Sequence, residues 1–190
     1  MLTSKLSEMR FSKIKLILML LIITPFLFSN QLENEIKNVI KVKKIIEKIK
    51  YNKNPGVQKI SVKEDEVNSY LNYRIKKENI KRLKEMKVKI LNKNIIEGKA
   101  VINLENYDKK SSIFNIYFRG KIIVEDKYIK FDFEKLFLEE QPIPVNLLEF
   151  IVNYLSKLEG YEPLSIFSWY ELPYGIKNIK TKKGEIIIFY

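Results

Sequence analysis

Residues 114–133 read FNIYFRGKIIVEDKYIKFDF. Apolar side chains alternate with polar ones: Phe114, Ile116, Phe118, then Ile122 and Val124, and beyond Asp126-Lys127 Ile129, Phe131 and Phe133. A period of two means extended chain with one apolar face. A turn at Asp126-Lys127 folds the stretch into a hairpin. Val124 then faces Ile129, Ile122 faces Phe131, Lys121 faces Asp132 and Arg119 faces Glu134. Apolar residues meet apolar ones and opposite charges meet, so both faces support one register. Gly120 falls on the apolar face, where the missing side chain permits a bend or bulge. Such a one-sided hairpin needs something apolar to lie against it.

The sequence supplies that partner downstream. Pro142-Ile143-Pro144 stops the sheet, and Pro144 suits the first turn of a helix that Gly160 can close after Glu159. The apolar residues Val145, Leu147, Leu148, Phe150, Ile151, Val152, Tyr154, Leu155 and Leu158 cover an arc of roughly 220° at 100° per residue. A surface helix usually shows a stripe nearer about 100°. This helix therefore calls for apolar company on more than one side, which a sheet curved partly around it would provide.

The rest of the chain extends the same plan. Met86, Val88 and Ile90 alternate with Lys87 and Lys89, and Ala100, Ile102 and Leu104 alternate with Lys99 and Asn103. With a turn around Lys93–Glu97, these runs form a second hairpin. Ile60–Val62 reads as a short strand. Glu64-Asp65-Glu66 favours a helix start through the dipole, and Val67, Tyr70, Leu71 and Arg74 share one face of the helix, which reaches to about Lys77. After Gly160 comes a loop rich in aromatic residues, Tyr161, Phe167, Trp169 and Tyr170. Two strands, Ile176–Thr181 and Glu185–Tyr190, then join around Lys183-Gly184. The fold class expected is α+β: a long curved antiparallel sheet packed around an amphipathic helix of the C-terminal half, plus N-terminal helices.

Ahead of this domain, a basic stretch with Lys5, Arg10 and Lys13 precedes Leu16–Phe28, an apolar run of 13 residues. A spanning helix needs roughly 17–25 residues and the apolar part of an export signal about 7–15. Pro25 breaks the helix where a peptidase needs extended chain. Cleavage after Ser29 puts Leu27, a larger residue than the preferred Ala, at a recognition position. Retention as an inner-membrane anchor through residues 16–28 thus stays open beside cleavage. The chain is expected to be exported to the periplasm or cell envelope. Gln31–Lys50 follows as an amphipathic helix, with Val39, Val42, Ile45, Ile46 and Ile49 on one side. Lys37, Lys41, Lys44 and Lys48 recur along another side. They read as a stripe facing an anionic membrane surface, or as an ordinary solvated face. Asn52, Asn54, Pro55 and Gly56 make a joint. The organisation is thus 1–29 signal peptide or anchor, 30–56 basic helix and joint, and 57–190 α+β domain.

Lys and Arg exceed Asp and Glu by 12; residues 1–29 account for 3 of these, leaving 12 − 3 = 9 for the remainder. That balance suits an acidic partner, although Lys, Ile and Asn are abundant together, as AT-rich coding produces. The lysines spread over every element, and the export segment argues against nucleic acid. There is no Cys and no His, which excludes disulfides, lipoprotein anchoring, His metal ligands and His acid–base chemistry. No GxSxG, P-loop or GxGxxG motif occurs. The carboxylates Asp132 and Glu134 alternate outward on a strand, and Glu139-Glu140 falls in a loop. Nothing implies the cleft that a catalytic carboxylate pair needs. No enzymatic activity, cofactor or metal is expected.

The run ISVKEDEVNSYL (Ile60–Leu71) resembles an element of uncharacterised bacterial envelope proteins, in which a strand leads into a helix patterned Glu-x-Glu-apolar-Asn-x-aromatic-Leu. Gln141–Val145 and Glu171–Ile176 resemble segments of the same proteins. Over about residues 57–190 the architecture is similar to the YpmS-like family and, more distantly, to tubular lipid-binding (TULIP-like) domains of the LmeA type. Lys63 departs from the pattern, which has a Ser or Thr helix cap there. Asn68 matches it, and a local hydrogen bond is its expected role. The resemblance implies an exported or anchored domain that holds lipid. The residues by themselves allow a groove for a hydrophobic or amphiphilic ligand, lined by Phe114, Phe118, Phe131, Phe133, Phe150 and Trp169. The alternative they leave open is a closed core, with the domain acting as an interaction module for an envelope protein the sequence does not name.

Overall fold

The computed structural model describes residues 31–54, 56–105, 111–158, 160–163 and 165–190. The expected export segment lies outside the described residues. Among them, no helix is long and apolar enough to cross a membrane. The chain divides into two compact units, Met1–Lys37 and Asn38–Tyr190. In the first, residues 31–37 are helical, and Lys37 pairs with Glu33 at 2.7 Å. Everything below concerns the second.

That unit opens with helix α1, residues 38–50. Strand β1 (Lys59–Lys63) leads directly into helix α2 (Glu64–Lys77). Strands β2 (Leu83–Ile90), β3 (Ile95–Glu105), β4 (Ser111–Glu125) and β5 (Tyr128–Leu138) follow as an antiparallel meander. Two short edge strands, β6 (Gln141–Pro142) and β7 (Tyr170–Glu171), both pair with β5, with helix α3 (Val145–Leu158) between them in sequence. The chain closes with β8 (Asn178–Lys182) and β9 (Glu185–Phe189). The result is an α+β fold with a curled antiparallel sheet.

The hairpin that starts the sequence reading forms as expected up to one irregularity. Val124 pairs with Ile129, Ile122 with Phe131 and Lys121 with Asp132. At Gly120 the register shifts: Gly120 faces Phe133, but Arg119 faces Lys135, leaving Glu134 as the extra residue of a bulge. The charge pair survives all the same, because Arg119 Nε reaches sideways to Glu134 at 3.1 Å. The bulge changes which β5 residues point inward, from Phe131 and Phe133 before it to Leu136 and Leu138 after it. It also adds the local twist that helps a long sheet curl.

Two helices lie on the inner face of this sheet. The apolar side of α2, Val67 and Leu71, packs with Val88, Ile96 and Ile122. Leu148 of α3, with Ile151, Val152 and Leu155, packs on Ile102, Ile116 and Leu136. A third cluster joins α1 to the C-terminal strands: Val42, Ile45 and Ile49 meet Val62, Leu172, Ile176 and Tyr190. The sequence pattern does not reveal that β8 and β9 leave the main sheet. With β1 they form a separate three-stranded sheet in the order β1-β9-β8. The tip of the β2–β3 hairpin ties the two sheets together: Asn94 accepts from Thr181 N (2.9 Å), Asn92 from Lys183 N (3.0 Å), and Ile90 O from Gly184 N (2.9 Å).

The curled sheet packs against α3 as expected, through Leu148, Ile151, Val152 and Leu155. Among α3 residues Leu148 is buried, while Leu147, Phe150, Tyr154 and Leu158 remain exposed. Tertiary packing uses a normal stripe of this helix, and the remainder of its apolar arc faces outward.

Candidate functional site: a phenylalanine floor between two helices

The inner sheet face carries no charged residue along Val88-x-Ile90, Ile96-x-Gly98-x-Ala100-x-Ile102 or Ile116-x-Phe118-x-Gly120-x-Ile122. Between the parts claimed by α2 and α3 lie Phe118, Phe131 and Phe133. Their rings meet edge to face, with centroids 5.8 Å apart for Phe118–Phe131, 6.3 Å for Phe118–Phe133 and 4.7 Å for Phe131–Phe133. Edge-to-face geometry sets the positive rim of one ring against the negative face of another. Phe118 belongs to both helix-sheet clusters, Phe131 packs with the α2 cluster and Phe133 with the α3 cluster. None of the three is fully buried.

Two glycines make this floor possible. Gly98 sits across from Phe118 on β3, and a Cβ there would stand 2.1 Å from Phe118 Cζ. A Cβ on Gly120 would meet Asp132 O at 2.4 Å and the Phe131 ring at 2.6 Å. Both rings therefore lie down on bare backbone. Gly120 is visible in sequence as a break in the apolar alternation. Gly98 is visible in the same way between Ile96 and Ala100, but its partner ring can be named only once the strands are paired.

The six residues expected to line a groove do not all meet. Phe118, Phe131 and Phe133 form the floor. Phe114 is half-buried on the same face, opposite Ile102, nearer the strand end. Phe150 is 67% exposed, about 200° around α3 from Leu148, and stacks on Tyr154 at 6.3 Å. It points away from the sheet. Trp169, also exposed, stands in the loop before β7. The lysine stripe is likewise not uniform. The ammonium of Lys41 is 2.5 Å from Glu66, a carboxylate only 3% exposed, and this pair ties α1 to α2. Lys44 and Lys48 are exposed on α1, and Lys37 lies in the first unit.

Glu66 makes the reciprocal half of a capping box, accepting from Lys63 N at 3.0 Å, while Asp65 rather than residue 63 accepts from Glu66 N at 3.0 Å. Asn68 does something other than the expected local bond. Its amide donates to Val88 O (2.8 Å) and accepts from Val88 N (2.7 Å), on the open edge of β2. Asn72 repeats this one turn later with Met86 O (2.9 Å) and Met86 N (3.1 Å), and Glu64 accepts from Ile90 N (2.7 Å). Glu64, Asn68 and Asn72 thus form a side-chain ladder that occupies the sheet edge and holds α2 over its end of the face. Their spacing of four was the available signal in the sequence.

The outer sheet face is polar. Arg119 bridges Glu97 (2.6 Å) and Glu134 (3.1 Å), and hydrogen bonds from those carboxylates, Glu134 first, raise its already high pKa. Glu139 accepts from Asn115 Nδ2 (3.1 Å) and Asn115 N (2.6 Å), and these bonds hold its carboxyl below the usual range. Among the described residues no group of three or more acidic side chains is placed to hold a metal. A cleft of about 320 Å³ opens at the end of α1 beside Lys50, Asn52, Asn54, Tyr174, Lys177 and Tyr190. Its lining is mainly polar, which suits an apolar ligand poorly. The chain matches no protein-family model, and no curated protein or solved structure is significantly similar to it.

Proposed function

We propose that this chain is exported and works without catalysis in the cell envelope, where the face between α2 and α3 takes up a hydrophobic or amphiphilic ligand such as a lipid. The observation that carries this reading is the triad Phe118, Phe131 and Phe133: three rings in contact, on an uncharged face, still partly open to solvent. Apolar surface that is concave and incompletely covered is the usual chemistry of such a site. The export part rests on the basic stretch and the short apolar run Leu16–Phe28.

Native mass spectrometry of the full chain after mild extraction tests it. The wild type should carry lipid-sized adducts. Phe133→Asp, which places a charge in the floor, should lose them while keeping its circular dichroism spectrum. A wild type that is free of adducts and takes up no fluorescent fatty acid would overturn the proposal. The second reading, an interaction module with a closed core, is favoured by the 4.7 Å contact of Phe131 with Phe133, which lets the rings satisfy one another. It predicts no adduct and a stable protein partner in envelope extracts.

A further inference from the structure

The outward side of α3 is apolar where a surface helix is normally polar. Leu147, Phe150, Tyr154 and Leu158 form a stripe along it, from 38% to 67% exposed. Asn146 and Lys157 are the other exposed residues of the helix, so that side holds one cation and no carboxylate. Glu149 is turned to the flank, where it accepts a hydrogen bond from Ser165 Oγ at 2.8 Å. That bond ties the following loop to the helix on a different flank from the stripe, about 100° or more around the axis from each of its residues. At the C-terminal end of α3, Arg82 donates to Leu158 O at 3.3 Å, with exposed Lys81 and Lys84 beside it in sequence.

We infer that the exposed apolar stripe of α3, Leu147, Phe150, Tyr154 and Leu158, docks on the surface of an anionic phospholipid bilayer. The size of the patch argues for this occupant. An aromatic side chain offers about 150–250 Å², so at the observed exposures the helix stripe presents on the order of 300–400 Å². A stable dimer or permanent complex needs about 800 Å² from each partner. A lipid interface has no such threshold and needs no shape complementarity. Its chemistry also matches: Tyr combines an apolar ring with a polar tip and collects at headgroup depth, and Leu and Phe enter the acyl boundary. Lys157 is exposed on the same helix and Arg82 sits at its end, and the net charge of 12 − 3 = +9 on residues 30–190 favours an anionic surface. This inference is independent of the ligand reading, because its four residues are exposed and are not among the α3 residues packed on the sheet.

The chain contains no Cys, so single labels are unambiguous. An environment-sensitive fluorophore is placed on the full chain at Tyr154→Cys and, separately, at Tyr117→Cys on the outer sheet face. Vesicles of phosphatidylcholine mixed with phosphatidylglycerol should blue-shift the label at 154 and raise its emission several-fold, and brominated acyl chains should quench it. The label at 117 should stay unchanged, which separates docking by this face from tethering by residues 16–28. Phe150→Ser in the 154-labelled chain should weaken vesicle affinity about tenfold. An unresponsive label at 154, an equal response at 117, or an equal response to pure phosphatidylcholine would overturn the inference. So would a concentration-dependent dimer that buries the label at 154 without lipid.

Discussion

Asn68 and Asn72 do for β2 with two side chains what a neighbouring strand would do with its backbone. Val88 is buried, so removing its partner leaves an N–H and a C=O short of bonds away from water. Each such loss costs about 1–3 kcal/mol. Asn68→Ala should therefore lower stability in urea by about 2 kcal/mol, with unchanged secondary structure. A midpoint equal to wild type would show that the ladder is ornamental. The glycines give a second test. Gly98→Ala meets the far end of the Phe118 ring, which can rotate, whereas Gly120→Ala meets the backbone oxygen of Asp132, which cannot. Overpacking costs about 1–3 kcal/mol, so both should destabilise and Gly120→Ala should be the worse. The reverse order in thermal melts would mean the β4–β5 bulge yields more easily than the ring cluster.

At the scale of elements, α3 separates burial from mere hydrophobicity. Leu148, 7% exposed, fills the space over Ile102, Ile116 and Leu136, and Leu148→Ala should cost about 2–5 kcal/mol. Phe150→Ala removes a larger side chain but one facing outward, and should change stability by about 0.5 kcal/mol or less. Chemical denaturation of the two variants checks the contrast; a large loss for Phe150→Ala would mean that its ring has a partner inside the fold. Both residues belong to one apolar run, and the sequence cannot tell them apart. Periodicity tells how many positions are oily, while the sheet's placement decides which of them are covered. The hairpins were more legible, because alternation and charge pairing are both local. The register failed only at Arg119, where the bulge inserts Glu134.

For the whole second unit, the two sheets are joined at the β2–β3 tip through Asn92, Asn94 and Ile90, and again where the Glu64 carboxylate, directly after β1, accepts from Ile90 N at 2.7 Å. Val124 and Ile129 also lie in two hydrophobic clusters at once. The sheets should therefore unfold as one. Trp169 fluorescence and far-ultraviolet circular dichroism should trace coincident transitions, and Asn94→Ala should lower the common midpoint without splitting it. Two separated transitions would show that the β1-β9-β8 sheet is an independent unit.

Read alone, the sequence determined the class of fold, the helices and the longer strands, the paired register next to Asp126-Lys127 and the absence of Cys and His chemistry. These follow from period, turn residues and residue type, all of which act over a few neighbouring positions. Only the tertiary structure decided that β1 joins the last two strands in a separate sheet, that Asn68 and Asn72 close an edge, and that one side of α3 stays bare. Each of these depends on which surfaces meet across long stretches of chain. Apolar alternation says that a face must be covered, and it carries no information about what covers it.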